Sequence, residues 1–398
     1  MNNDEYIILR APSVSTRDIF LGGANDFNAL GASENAVAGL SVEVTTLTKK
    51  DLADVAREKD VVAFAADIPI KLIKPRNVNS VQQPAAPTTA WGVQAVGADT
   101  SSCTGKGIVV AVLDTGIDAA HPAFAGVEVI QKDFTGEGDG DQHGHGTHCA
   151  GTIFGRNVNG SRIGVAIGVK KALIGKVLGS NGGGSKGIIN AIQWAMQNGA
   201  NVMSMSLGID FPGLVKRLKD QGMSTEVATS VALEGYRTNV ALFEKMAQLV
   251  QVSSGFFQPT VLIAAAGNES GRDQNPPFEI AVSPPAVSGG FISVAALGQN
   301  AQKFSVAPFS NTGAIVAGPG VSILSAKPGG GFATMSGTSM ATPHVAGVAA
   351  LWAEQLKSNG MLTPDILKAR LIASGITSGL IAGFDPFDVG TGMVRAPQ

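Results

Sequence analysis

The sequence predicts an α/β protein, a mostly parallel sheet with helices on both faces in three layers, preceded by a small α+β unit. Three observations carry that expectation. The 398 residues are 44% hydrophobic and only 15% charged, enough to bury a substantial core and the opposite of a disordered composition. From about Trp91 onward, continuous apolar runs alternate with helical periodicities, the pattern of parallel strands covered on both faces. Glycine, at 51 residues, is about twice its usual share of roughly 7% and has no collagen-like period, so tight turns are frequent.

The same arithmetic excludes partners. A net charge of −2 leaves no basic footprint, so nucleic acid is not expected. No apolar run approaches the roughly 18 residues that span a bilayer, so no membrane partner is expected either. Cys103 and Cys149 allow one bridge at most, and whether they pair stays open. Met1-Asn2-Asn3-Asp4-Glu5 has no basic or apolar signal region. The reading therefore leaves a cytoplasmic protein, export by another route, or a trimmed leader.

Residues 1–75 form the small unit. Tyr6-Ile7-Ile8-Leu9 reads as a strand, and Leu52, Val55 and Ala56 share one helical face. Val61 to Ala65 reads as a second strand, and Ile68 to Ile73 as an extended tail. Residues 76–90, with Pro84 and Pro87, read as an exposed linker. Residues 91–398 carry the larger domain. Gly107 to Leu113 is a continuous apolar strand. Ile188, Ile189, Ile192, Ala195 and Met196 recur at helical spacing, with Gly199 as the residue that ends the helix. Asn201 to Leu207 and Thr260 to Ala266 read as strands, and Ser339 to Leu356 as a helix apolar nearly all round.

Three segments carry chemistry. In Ala111-Val112-Leu113-Asp114-Thr115-Gly116 a buried strand ends in a carboxylate, at the edge of the sheet where ligand crevices form; alone, Asp114 reads as a turn cap. In His143-Gly144-His145-Gly146-Thr147-His148 three of five histidines cluster, a spacing that also suits a zinc site. In Gly337-Thr338-Ser339-Met340-Ala341-Thr342-Pro343 a hydroxyl opens a helix, whose positive end suits a developing anion. Pro343 is read as a first-turn residue, where no amide is missed. Together, Asp, His and Ser are the parts of a nucleophilic triad.

At this point the chain resembles the subtilisin-like serine proteases, or subtilases, which carry the triad in the same order along the chain. The matching segments are Asp114-Thr115-Gly116, His145-Gly146-Thr147-His148-Cys149-Ala150-Gly151-Thr152 and Gly337 to His344. The resemblance implies a subtilisin-like sheet architecture and the triad Asp114, His145 and Ser339. Ala265-Ala266-Gly267-Asn268-Glu269 resembles the family's oxyanion motif, which implies that Asn268 and the Ser339 amide hold the tetrahedral oxyanion. In subtilisin the loss of such a donor costs about 3 kcal/mol of transition-state stabilisation. Ser206-Leu207-Gly208 resembles the strand that pairs with the substrate backbone. With Ala265, Ala266 and Gly267 it implies an apolar pocket favouring a large apolar residue before the cut bond. Protein or peptide substrates follow.

Residues 1–75 resemble the family's inhibitory propeptide, with Val61 to Asp67 the closest stretch. This implies a ferredoxin-like unit that inhibits its own enzyme and is cut off by it between Lys71 and Pro87. No cofactor is implied for the chemistry. The family's strong calcium site has an Asp after His-Pro; here Ala123 follows His121-Pro122, and Arg156 and Arg162 lie in the loop Gly155–Gly164. The usual strong site thus lacks its carboxylate, while structural calcium as such stays open. Glu137, Asp139 and Asp141 read as a solvated acidic loop, with cation binding as the alternative. The span from Gly208 to Val261 is longer than in compact family members. Its stripe Val240, Phe243, Met246, Ala247 and Val250 reads as packing, with the span walling one side of the cleft. Two rivals stand beside this reading: a zinc hydrolase using His143, His145 and His148, and a catalytically silent binding protein on the same scaffold.

Overall fold

The structure, a computed structural model, describes residues 4–11, 41–73, 75, 88–254 and 258–398. Most of the linker expected at 76–90, with most of the predicted cleavage range, lies outside these residues.

In the N-terminal unit, β1 (Asp4–Arg10) is central, with β2 (Ser41–Leu47) and β3 (Val61–Ala66) antiparallel on either side. Strand alternation divides the hydrophobics: Ile7 and Leu9 join the main core of the molecule, whereas buried Ile8 belongs to the other face. Helix α1 (Lys49–Val55) begins with a capping box between Thr48 and Asp51. It stops at Val55, one residue short of the expected face, so Ala56 is an exposed C-cap. Strand β4 (Pro69–Leu72) follows.

The larger domain begins with α2 (Trp91–Ala95), β5 (Val109–Asp114), β6 (Glu128–Asp133), α3 (His145–Phe154), β7 (Lys171–Lys176), β8 (Gly183–Gly184) and α4 (Ser185–Gln197). Next come β9 (Val202–Met205), β10 (Leu207–Ile209), α5 (Phe211–Asp220) and α6 (Thr225–Ser253). The chain continues through β11 (Val261–Ala265), β12 (Phe291–Asn300), β13 (Lys303–Val306) and β14 (Val316–Pro319). A hairpin of β15 (Ile323–Ala326) and β16 (Phe332–Met335) leads into α7 (Thr338–Ser358). Among the described residues, eight strands form the main sheet in the order β13-β12-β11-β9-β5-β7-β6, with β14 also beside β12. Every pairing is parallel except β12 with β13. Val110, Ala111, Val112 and Leu113 are buried, which is why β5 reads as an unbroken apolar run. Gly199 adopts φ 95° just past α4, as its place at the helix end requires.

The run Asn201 to Leu207 is not one strand. β9 lies in the main sheet, but the chain leaves it at Ser206, and β10 pairs in a separate sheet. Alternating burial cannot distinguish these, because all seven residues are buried in either sheet.

The long insertion is two helices. Phe243, Met246, Ala247 and Val250 of α6 are buried, and the Phe243 ring meets Phe291 edge-on at 6.2 Å. The same helix also holds the N-terminal unit, where the buried Asn239 Nδ2 donates to the Ala66 carbonyl at 2.9 Å. Asp67 adds a second attachment, accepting from the Lys186 amide and the Ser185 hydroxyl, each at 3.0 Å, at the start of α4. Among the described residues, no helix is long and apolar enough to cross a membrane. Phe243→Ala is expected to cost about 3–5 kcal/mol, the range for emptying a buried aromatic site; a thermal unfolding midpoint equal to that of the unaltered chain would contradict the packing described.

Candidate active site

Asp114 ends β5 and is fully buried. Its Oδ1 accepts from His145 Nδ1 at 2.7 Å and from the Thr115 amide at 2.7 Å. The carboxylate therefore keeps a proton on Nδ1, whichever form the ring takes. Helix α3 starts at His145 itself, after Gly144 in a left-handed conformation (φ 93°). The approach of strand end to helix start leaves no room for side chains, since a Cβ on Gly146 would lie 2.1 Å from the Gly116 carbonyl oxygen.

Asp141 corrects the expectation of a solvated acidic loop. It is buried, and its Oδ1 accepts from the Thr115 hydroxyl and the His143 and Gly144 amides at 2.8–3.0 Å. Its Oδ2 accepts from the Thr147 amide and hydroxyl at 2.8 and 2.6 Å. It thus neutralises the free amides at the start of α3 and locks His145 in place. Glu137 and Asp139 are exposed, and Glu137 accepts from the amide and hydroxyl of Ser180.

Burial disfavours a charged imidazole, but the neighbouring Asp114 carboxylate together with Cys149 outweighs it and raises His145 well above 6.5. Cys149 lies beneath, with Sγ 3.8 Å from His145 Nδ1, and burial pushes its thiol up. Cys149 and Cys103 are both free thiols.

Ser339 is the second residue of α7 and fully buried. Pro343 is not in the first turn; it is the sixth helical residue, and its missing amide leaves the Ser339 carbonyl without its i+4 donor. Two side chains take the place of that donor: Ser206 Oγ at 3.1 Å and Cys149 Sγ at 3.4 Å. The Ser339 hydroxyl donates to the Ile73 carbonyl at 3.1 Å, with the Ser206 carbonyl at 3.4 Å. His145 Nε2, buried, has no hydrogen-bond partner among the described residues, so Asp114 and His145 are hydrogen-bonded whereas His145 and Ser339 are not. Asn268 Oδ1 accepts from the Thr338 amide and hydroxyl at 2.8 and 2.9 Å, which fixes that side chain beside Ser339.

The cleft is filled by the chain's own tail. β4 lies antiparallel between β10 and β8, with Leu72 opposite Leu207, Lys71 opposite Gly208, Ile70 opposite both Ile209 and Gly183, and Pro69 opposite Gly184. Ile73, 1% exposed, packs where a Cβ on Gly208 would lie 3.6 Å from its side chain and 2.9 Å from Ser283 Oγ. Ala265, Ala266 and Gly267 are buried at the end of β11; the Ala266 carbonyl accepts from the Ser283 amide at 3.1 Å, and the Gly267 amide donates to Thr338 Oγ1 at 3.2 Å.

The three clustered histidines do not converge. His143 is exposed, with its ring centroid 6.3 Å from that of His145. His148 Nε2 lies 3.0 Å from the Ile323 carbonyl and 3.2 Å from that of Ala333, and burial, helped by His145, pushes it down to about 3. In the loop region read for calcium, Arg156 donates to the carbonyls of Phe154, Ile167 and Val169. Arg162 donates to those of Ala98, Gly164 and Val165, and Ala123 is buried.

The chain matches the subtilase family over residues 105–385. Subtilisin-like protease 1 of Trichophyton equinum is 32% identical over 375 residues, covering 87% of this chain and 64% of that protein's length. Subtilisin-like protease 1 of Trichophyton verrucosum is 30% identical, with 87% and 81% covered. Subtilisin-like protease 6 of Trichophyton schoenleinii is 32% identical over 322 residues, with 75% and 67% covered. The matched part thus spans less than two thirds of the Trichophyton equinum protein.

Asp114→Asn leaves burial without its opposing carboxylate, so the His145 pKa is expected to fall from above 6.5 to below it. Imidazole resonances followed by NMR across pH check this, and an unmoved midpoint would contradict it.

Proposed function

Because this chain belongs to the subtilase family, we propose that it is a serine endopeptidase made as a self-inhibited precursor whose first cut is its own Ile73–Lys74 bond. One observation carries the reading: the Ile73 carbonyl accepts from Ser339 Oγ at 3.1 Å while the residues before it occupy the cleft as a β-strand. An extended peptide paired on a sheet edge, with one carbonyl delivered to a buried serine, is the geometry of an acyl donor.

In the proposed reaction the Ser339 hydroxyl turns from the Ile73 carbonyl oxygen to His145 Nε2, which takes its proton as Oγ bonds to the Ile73 carbonyl carbon. The oxygen becomes an oxyanion, held by the Ser339 amide and the Asn268 side chain. Asp114 stabilises the imidazolium. Collapse breaks the bond to the Lys74 nitrogen, which leaves with the proton from His145. Water, deprotonated by the same imidazole, then hydrolyses the Ile73–Ser339 ester and restores the serine. Other protein or peptide substrates occupy the same strand position after the tail departs, and the tail inhibits until then. Ile73 in its pocket supports a preference for a large apolar residue before the cut bond.

The loop 155–164 is held by arginine rather than by calcium. Calcium needs oxygen ligands, and a neighbouring guanidinium repels it. Here Arg156 and Arg162 sit in the loop and tie it to the carbonyls of Ile167, Val169 and Ala98, and Ala123 supplies no carboxylate.

Two outcomes are expected. Purified Ser339→Ala stays full length, whereas the unaltered chain acquires a new N-terminus at Lys74, read by mass spectrometry; trimming of the alanine variant at that bond would sink self-processing. Substituting Arg156 and Arg162 by Gln is expected to lower the melting midpoint of the protein with or without calcium, and an unmoved midpoint would overturn the arginine-held loop.

A further inference from the structure

Lys71 lies two residues before Ile73 in the strand that fills the cleft. Its ammonium sits 2.9 Å from Asp210 Oδ1 and 3.6 Å from Glu269 Oε1. These two carboxylates come from the segments that frame the reaction: Asp210 directly follows β10, and Glu269 directly follows Asn268.

Both acids are held by contacts other than Lys71. Asp210 is the N-cap of α5, accepting from the Gly213 amide. Glu269 uses its other oxygen, Oε2, to accept from Asn311 Nδ2 at 2.9 Å. Asn311 is itself buried and also bonded to the Ala266 and Ala281 carbonyls. Carboxylates fixed in this way lose little freedom when a cation arrives. Two of them facing one ammonium also leave surplus negative charge, which disfavours an acidic residue at that position.

We infer that Asp210 and Glu269 form an acidic subsite selecting lysine or arginine as the third residue on the acyl side of the cut bond. Lys71 is the subsite's resident copy of that residue. The inference rests on the reading under Proposed function, since it takes the tail as a substrate-like strand. The side chains of Lys71, Asp210 and Glu269 are 36%, 30% and 33% exposed, so solvent screens the attraction. The selectivity is accordingly modest, about 3- to 10-fold for lysine over glutamine, as for partly exposed ion pairs.

The test uses the full chain, allowed to process itself, and three peptides ending Ile-Xaa-Leu-Ile before a cleavable amide, with Xaa Lys, Gln or Glu. Ratios of kcat/KM within one enzyme do not depend on how much of it is active. The unaltered enzyme is expected to rank Lys above Gln above Glu, and added salt to compress the ranking. Asp210→Asn keeps a capping side chain, and Glu269→Gln keeps an acceptor for Asn311. In the double variant the Lys-to-Gln ratio falls to near one, and Asp210→Lys inverts the ranking of Lys and Glu. Equal cutting of all three peptides by the unaltered enzyme, or a lysine preference surviving in the double variant, overturns the subsite. An enzyme that cuts none of them overturns the proposed function instead, and this inference falls with it.

Discussion

The bond between Asp114 and His145, 2.7 Å long and closed off from water, sets the terms for everything around it. An unscreened carboxylate is tolerated in an interior only where its neighbours are arranged to receive it. The end of β5 must meet the start of α3, which requires glycine at 116 and 146 and a polar brace behind them. Asp141 supplies that brace through five hydrogen bonds to Thr115, His143, Gly144 and Thr147. On the other side, the proline in α7 frees a carbonyl of Ser339, and Ser206 and Cys149 are committed to it. Asp114, His145 and Ser339 are thus linked through Cys149 in one polar network, and a change to a member leaves another buried group unpaired.

That network is joined to the rest of the molecule by a borrowed strand. β4 belongs to the N-terminal unit by sequence and to the cleft by pairing. The insertion meets the N-terminal unit twice, since α6 grips Ala66 of β3 through Asn239 and Asp210 reaches Lys71 of β4. A span that reads as a wall of the cleft is therefore also the seat of the N-terminal unit.

Much of this was legible in the residues. Unbroken apolar runs mark the central strands because both faces are covered, and the three segments that carry Asp114, His145 and Ser339 stand out because they occur together. The rest depends on partners that periodicity does not encode. Nothing in Asn201 to Leu207 signals that the chain changes sheets at Ser206, because both halves are equally buried. Asp141 resembled its exposed neighbours Glu137 and Asp139; only the fold turns it inward. Its spacing, a carboxylate four residues before His145 and six before Thr147, was the one available sign of a helix-start brace. Pro343 lies beyond the first turn that the sequence suggests because the helix opens before the serine rather than at it.

The strand pairing in the cleft bears on what a folded protein offers to such an enzyme. From Pro69 to Ile73 the tail gives up its backbone to two edges at once and has one carbonyl at the serine. A helix or a sheet interior cannot do this without first releasing its own hydrogen bonds. For the proposed reaction, susceptibility of a target then follows the free energy of opening about five consecutive residues, lowest at loops and fraying ends and highest in a core. Where opening is fast relative to cleavage, the rate reports the population of the open segment. Such an enzyme would measure its target's local stability before it measured its sequence.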